Sequence, residues 1–155
     1  MRQRWRKATR KDVNYVVSHL RQADVEECRA MFGIDPASLF ALGWNDETYC
    51  IYNRQGTPVA LSGIYPVPSS PNVGQIWMCA TDQLEKHQIE FLKYSKNFIA
   101  EVSAKYDLVY NYVDARNAVH LKWLKWCGFT FINYLPSWGA EKRPFYSFVK
   151  VTKCV

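Results

Sequence analysis

The sequence predicts an α/β fold: one domain over residues 1–155, built on a mixed, mostly antiparallel sheet flanked by helices. Three observations lead there. In the N-terminal part the apolar period is helical, with Val13, Val16, Val17 and Leu20 on one stripe. Across 47–67 the pattern becomes strand-like, with ETYCIYN and VALSGIYPV on either side of the turn RQGTP. At 108–113 the apolar run LVYNYV enters an amphipathic helix and then another strand. Such a crossover joins parallel strands and turns right-handed.

Each element has a local reason. Residues 3–9 (QRWRKAT) alternate as a first strand. Thr9 caps a helix over about 10–22, because its hydroxyl can accept from a first-turn amide. Asp24 caps a second helical segment, ended by Gly33 in a left-handed turn. Asp35-Pro36 restarts the chain as cap and first helical residue of ASLFAL, which Gly43 stops. After the hairpin, Pro66, Pro68 and Pro71 predict a loop, and VGQIWMCAT (73–81) the next strand. The longest helix is expected over 85–106, with Ile89, Leu92, Phe98, Ile99 and Val102 on its apolar face. A helix over 117–127 follows strand 108–113, with Asn117 as cap, Leu121 and Leu124 toward the sheet and Gly128 as stop. Strands near 129–135 and 145–152 complete the order.

Composition excludes several classes. With 48% hydrophobic and 15% aromatic residues the chain is not disordered. No apolar run reaches the ~20 residues of a membrane span, so no membrane partner is expected. The basic start, MRQRWRKATRK, has no apolar signal core behind it, which points to a cytosolic protein. Cys28, Cys50, Cys79, Cys127 and Cys154 form no CxxC pair, and His19, His87 and His120 are dispersed. Neither a disulfide framework nor a metal site is expected. The net charge of +6 permits nucleic-acid contact through Arg2, Arg4 and Arg6; a solvated basic edge is the simpler account.

The segment 111–129 resembles the last crossover of the GNAT acetyltransferase superfamily. More narrowly, the chain is similar to the internal virion or core-assembly proteins of T-seven-like short-tailed phages. That resemblance rests on Gly33-Ile34-Asp35-Pro36, Thr81-Asp82-Gln83 and Asn111-Tyr112-Val113, followed by Asn117, His120, Leu124 and Gly128 at matching intervals. It implies a GNAT-like fold put to virion assembly through contacts with phage structural proteins, in the host cytoplasm or the virion, with no cofactor. The alternative it implies is an acetyl-CoA-dependent N-acetyltransferase with a remodelled cofactor loop.

Two features of active relatives are missing. Their Gly-rich turn lets backbone amides approach the cofactor pyrophosphate. Here Gln83 to Ile89 contains no glycine. Seven residues after the Asn, where those enzymes carry a Tyr as proton donor, stands Leu124, which has no proton to give. The candidates left for catalysis are Asp82 and His120. For cofactor binding they are Met78 and Ala80 through their amides, Lys86, His87 and Asn117. His120 otherwise reads as a structural histidine, and Asp82 and Asn117 as caps. Trp123, Trp126 and Trp138 are expected on the surface as partner contacts.

Overall fold

A computed structural model describes residues 4–153. The elements are β1 (Trp5–Lys7), α1 (Arg10–Ser18), α2 (Gln22–Phe32), α3 (Pro36–Ala41), β2 (Thr48–Tyr52), β3 (Pro58–Val67) and β4 (Ser70–Ala80), then α4 (Gln83–Lys86), α5 (Gln88–Val102), β5 (Leu108–Asp114), α6 (Ala118–Trp126), β6 (Thr130–Trp138) and β7 (Arg143–Val151). The seven strands form one sheet in the order β1-β2-β3-β4-β5-β7-β6. Every neighbouring pair is antiparallel except β4 and β5.

Side chains alternate between the faces of the sheet, so adjacent residues enter different cores. Cys50, Leu61 and Cys79 pack with Val13 and Val16 of α1 and Phe40 of α3. Their neighbours Ile51, Ala60 and Met78 pack with Phe91, Phe98 and Ile99 of α5 and Leu124 of α6. At the start of α1, Thr9 and Asp12 form a reciprocal capping box. Gly33, at φ 76°, ends α2 in the left-handed conformation expected of it.

The parallel pairing is brief. It runs from Val73↔Leu108 to Gln75↔Tyr110, after which β4 and β5 diverge. Asn111 braces the point of divergence. Its Oδ1 accepts from Gln75 Nε2 at 3.1 Å, and its Nδ2 donates to the Ile76 carbonyl at 2.7 Å.

Four local expectations need correction. The long helix is broken at His87 (φ −128°, ψ 37°), leaving one turn as α4. The break resets the helical phase, so Ile89 is 74% exposed and the buried stripe of α5 is Phe91, Ser95, Phe98, Ile99 and Val102. The proline-rich connection is a tight hairpin: β3 and β4 pair out to Val67↔Ser70, with a register shift after Pro66. Proline lacks an N–H but is tolerated at such an irregularity. Asp24 is not the cap of α2. Arg21 holds that position, and Asp24 lies buried inside the first turn.

The fourth correction concerns the tryptophans. On α6 the buried stripe is His120, Trp123, Leu124 and Cys127, a helical spacing that takes Trp123 into the core at 4% exposure. Leu121 is only half-buried. Trp126 is exposed, although its Nε1 donates to the Leu92 carbonyl at 2.9 Å. Trp138 lies in β6, partly buried, and stacks on Tyr112 with ring centroids 4.4 Å apart.

Candidate active site

The divergence of β4 and β5 opens a cavity of about 430 Å³, within the usual range for small-molecule sites. It is lined from both faces of the sheet. Trp77 and Cys79 line it on the face of α1 and α3, and Met78 and Leu124 on the face of α5 and α6. Asp24, Glu27 and His120 are the ionised or readily ionised side chains at its wall.

Asp24 is fully engaged. Thr81 N–H donates to β3, so the preceding Ala80 N–H points toward the split, where it donates to Asp24 Oδ2 at 2.9 Å. Asn117 Nδ2 donates to Asp24 Oδ1 at 3.0 Å, and Arg21 Nη1 lies 3.2 Å from the same oxygen. The Arg21 amide donates to the Ala80 carbonyl at 2.9 Å, and its Nε to Glu85 Oε1 at 3.1 Å. The connection between α1 and α2 is thereby stitched to the end of β4, and Asp24 bridges that end to the start of α6.

Glu27 lies one turn further along α2. Its Oε1 accepts from the Asp114 amide at 2.8 Å. Its Oε2 stands 3.5 Å from His120 Nδ1, an ion-pair distance too long for a good hydrogen bond, and Nδ1 has no bonded partner. Burial opposes a charge on this imidazole and Arg21 adds to the opposition. The carboxylates of Glu27 and Asp24 outweigh both and raise the His120 pKa above its ordinary value. The ligand atoms of Asp24, Glu27 and His120 lie within 4.8 Å of one another. The positive charge beside Asp24, however, is already supplied by the buried Arg21 guanidinium, which a metal ion would have to displace.

The sequence candidates fare unequally. His120 and Asn117 enter this cluster, Asn117 also accepting from the His120 amide as the α6 cap at 3.4 Å. Met78 lines the cavity, while the Ala80 amide is taken by Asp24. Asp82 is exposed and makes no capping bond; Thr81 Oγ1 accepts from the Gln83 amide instead. Lys86 is exposed at the end of α4, and His87 forms the break. Arg4 pairs with Glu90, and Arg6, its side chain 59% exposed, lies 3.6 Å from Asp12. Arg2 lies outside the described residues. Sequence reasoning missed Arg21 and Glu27 and misassigned Asp24. The one local signal was the spacing of Asp24 and Glu27 on a single helical face.

An acyl donor of the kind the sequence resemblance implies would need free amides for its phosphates and an apolar channel for its thioester arm. In α4 the Gln83 and Leu84 amides are consumed by Thr81, and Glu85 brings a negative charge. The next helix start is freer: among the described residues nothing accepts from the amides of Gln88, Ile89 and Glu90, which follow directly on Lys86 and His87. An anion is favoured at such a helix start. Between the strands, the apolar cavity has room for a thioester arm.

No protein-family profile matches the chain, and no curated protein matches it in sequence. Solved structures do match in shape. A GCN5-related N-acetyltransferase from Kribbella flavida superposes with a TM-score of 0.69 at 14% identity, covering 95% of this chain and 96% of that one. Spermidine N-acetyltransferase from Vibrio cholerae, in complex with CoA and spermine, gives 0.68 at 12% identity, covering 96% and 94%. Ribosomal-protein-alanine N-acetyltransferase from Brucella melitensis gives 0.66 at 12%, covering 95% and 98%. The fold is therefore that of the GNAT acetyltransferases, as the resemblance at 111–129 implied. The narrower phage likeness rests on sequence motifs alone. Among the described residues no helix is long and apolar enough to cross a membrane.

Proposed function

We propose that the chain is an N-acyltransferase that takes an acetyl group from acetyl-CoA to an amine, with a rebuilt cofactor junction. The observation that carries this reading is the cavity in the β4–β5 split, which is lined from both faces of the sheet and has Glu27 and His120 in its wall. The neighbour solved with CoA and spermine supports it at the level of the fold. Acetyl-CoA would supply an acyl carbon activated as a thioester. Met78 and Leu124 offer an apolar wall to its arm. The amides at the start of α5, with Lys86 and His87, are the groups that would meet its phosphates. Calorimetric titration with acetyl-CoA should give saturable binding, and an amine should then release free thiol. Absence of both heat and thermal stabilisation at millimolar acetyl-CoA would sink the reading.

A second reading has its own observation. The Ala80 amide, the donor available to an acyl carbonyl in the split, is held by Asp24, and Leu124 replaces the acidic Tyr. Both favour a non-catalytic GNAT-fold protein that works through contacts, as the phage resemblance implies. Its surface would include Trp126 and Trp138, with phage structural proteins as partners; Trp123 is too deep to take part. The same titration separates the two readings.

A further inference from the structure

We infer that the Glu27–His120 pair is the seat of a primary amine carried on a single uncharged, apolar stem, and that His120 Nδ1 is where the amine leaves its proton. The inference rests on the acyltransferase reading for its purpose, but the seat is defined by this chain's own residues.

The first observation is an unfilled gap. His120 is 7% exposed, its Nδ1 has no bonded partner, and it faces Glu27 Oε2 across 3.5 Å. A buried polar atom without a partner is costly, and sites that bind polar ligands are where such costs are accepted. An ammonium group placed against Oε2 brings its N–H donors within reach of both atoms.

The second observation is charge. Asp24 is neutralised by Arg21 and saturated by Ala80 and Asn117. Asp114, beyond it at the end of β5, is paired with Arg116 at 2.8 Å. Glu27 spends Oε1 on the Asp114 amide and leaves Oε2 with His120 alone. The thiols on this side, Cys28 and Cys79, are held neutral by burial, Cys28 with its pKa raised to about 11. One carboxylate charge is thus available, enough for one cation.

The third observation is the rest of the wall. Apart from Asp24, Glu27 and His120, the cavity is lined by uncharged residues, with Met31, Phe40, Trp77 and Tyr112 among them. A second ammonium or a carboxylate on the stem would be desolvated there without a counter-charge. An aromatic or aliphatic monoamine fits; a polyamine does not.

The proton balance is simple. At a pH where His120 is protonated, the free pair shares one proton, held on the imidazole. When an ammonium ion arrives, two cations face one carboxylate, and the imidazole proton is released to water. One ammonium N–H bond then breaks and an Nδ1–H bond forms, and the nitrogen keeps the electron pair it needs as a nucleophile.

The test uses 2-phenylethylamine and no thioester. Calorimetry is run in two buffers of different ionisation enthalpy, at a pH where NMR shows His120 protonated in the free protein. The expected result is saturable binding with about one proton released, and binding weaker by about tenfold or more for 2-phenylethanol and for spermidine. Glu27→Gln keeps an acceptor for the Asp114 amide and should weaken the amine by a similar factor. His120→Gln should still bind the amine but release no proton. Equal binding of amine and alcohol, no binding of either, or unchanged proton release in His120→Gln would overturn the assignment. Acetyl-CoA is absent throughout, so failure here is distinct from failure of the cofactor titration.

Discussion

The two strand-to-helix junctions at the open end of the parallel pair are built on different plans. After β5 the chain turns at once into α6, with Asn117 as both helix cap and donor to Asp24. After β4 it adds the single turn α4, breaks at His87 and only then starts α5. Ligands of α/β sheets bind beyond the carboxyl ends of the strands, so both junctions face the same crevice. The β5–α6 junction keeps converging polar groups. The β4–α5 junction contains no glycine, and its free amides lie past His87. One junction thus gathers polar side chains, and the other offers open backbone amides.

The largest expected effect comes from cutting the tie between the two. Asp24→Ala would leave the Arg21 guanidinium, 5% exposed, without its buried partner, and would strip acceptors from Ala80 and Asn117. Breaking a buried pair by removing one member costs about 3–5 kcal/mol. Denaturant unfolding should show a loss of that size. A loss below about 1 kcal/mol, the scale of an exposed pair, would mean that the junctions are independent.

Asn117→Ala tests one junction alone. Its cap bond to the His120 amide and its bond to Asp24 would both be lost, at about 1–2 kcal/mol. The double variant with Asp24→Ala should lose less than the sum, because the two residues share a hydrogen bond. Strict additivity would count against the bridge.

How much of this was legible depended on the range of the interaction that decides each feature. Asn117 as a cap, Gly33 as a stop and the hairpin over 47–67 are local chemistry and follow from a few residues. The crossover followed from the apolar run at 108–113. Trp123 was misjudged because the stripe was centred on Leu121 and Leu124, whereas the buried face of α6 runs through His120, Trp123, Leu124 and Cys127. The helix break at His87 had no proline or glycine to announce it. The polar cluster was illegible for a stronger reason: Asp24 meets Ala80 and Asn117 across 56 and 93 positions. No spacing within α2 could reveal that.

A smaller effect is expected from pH. Burial disfavours the charged imidazole, but Glu27 outweighs it and raises the His120 pKa in the folded state. A raised histidine pKa stabilises the fold fully below the unfolded value of about 6.5 and loses that contribution as pH rises through the folded pKa. Melting temperature should therefore fall across that window, and the slope should flatten in His120→Gln. A slope unchanged by that substitution would assign it to another group.

The smallest effect on stability and the sharpest test of the rebuilt junction lie in Glu85. Its side chain is 49% exposed and pairs with Arg21 at 3.1 Å, so Glu85→Ala should cost less than about 1 kcal/mol. Its consequence for binding should be opposite in sign. Glu85 is the negative charge in the turn that precedes the free amides of α5, and removing it lessens repulsion of an anion approaching them. Acetyl-CoA affinity should rise a few-fold at low salt, and the gain should shrink as ionic strength increases. Unchanged affinity at low salt would place the phosphates away from this junction, and the difference between the two strand ends would then be one of folding alone.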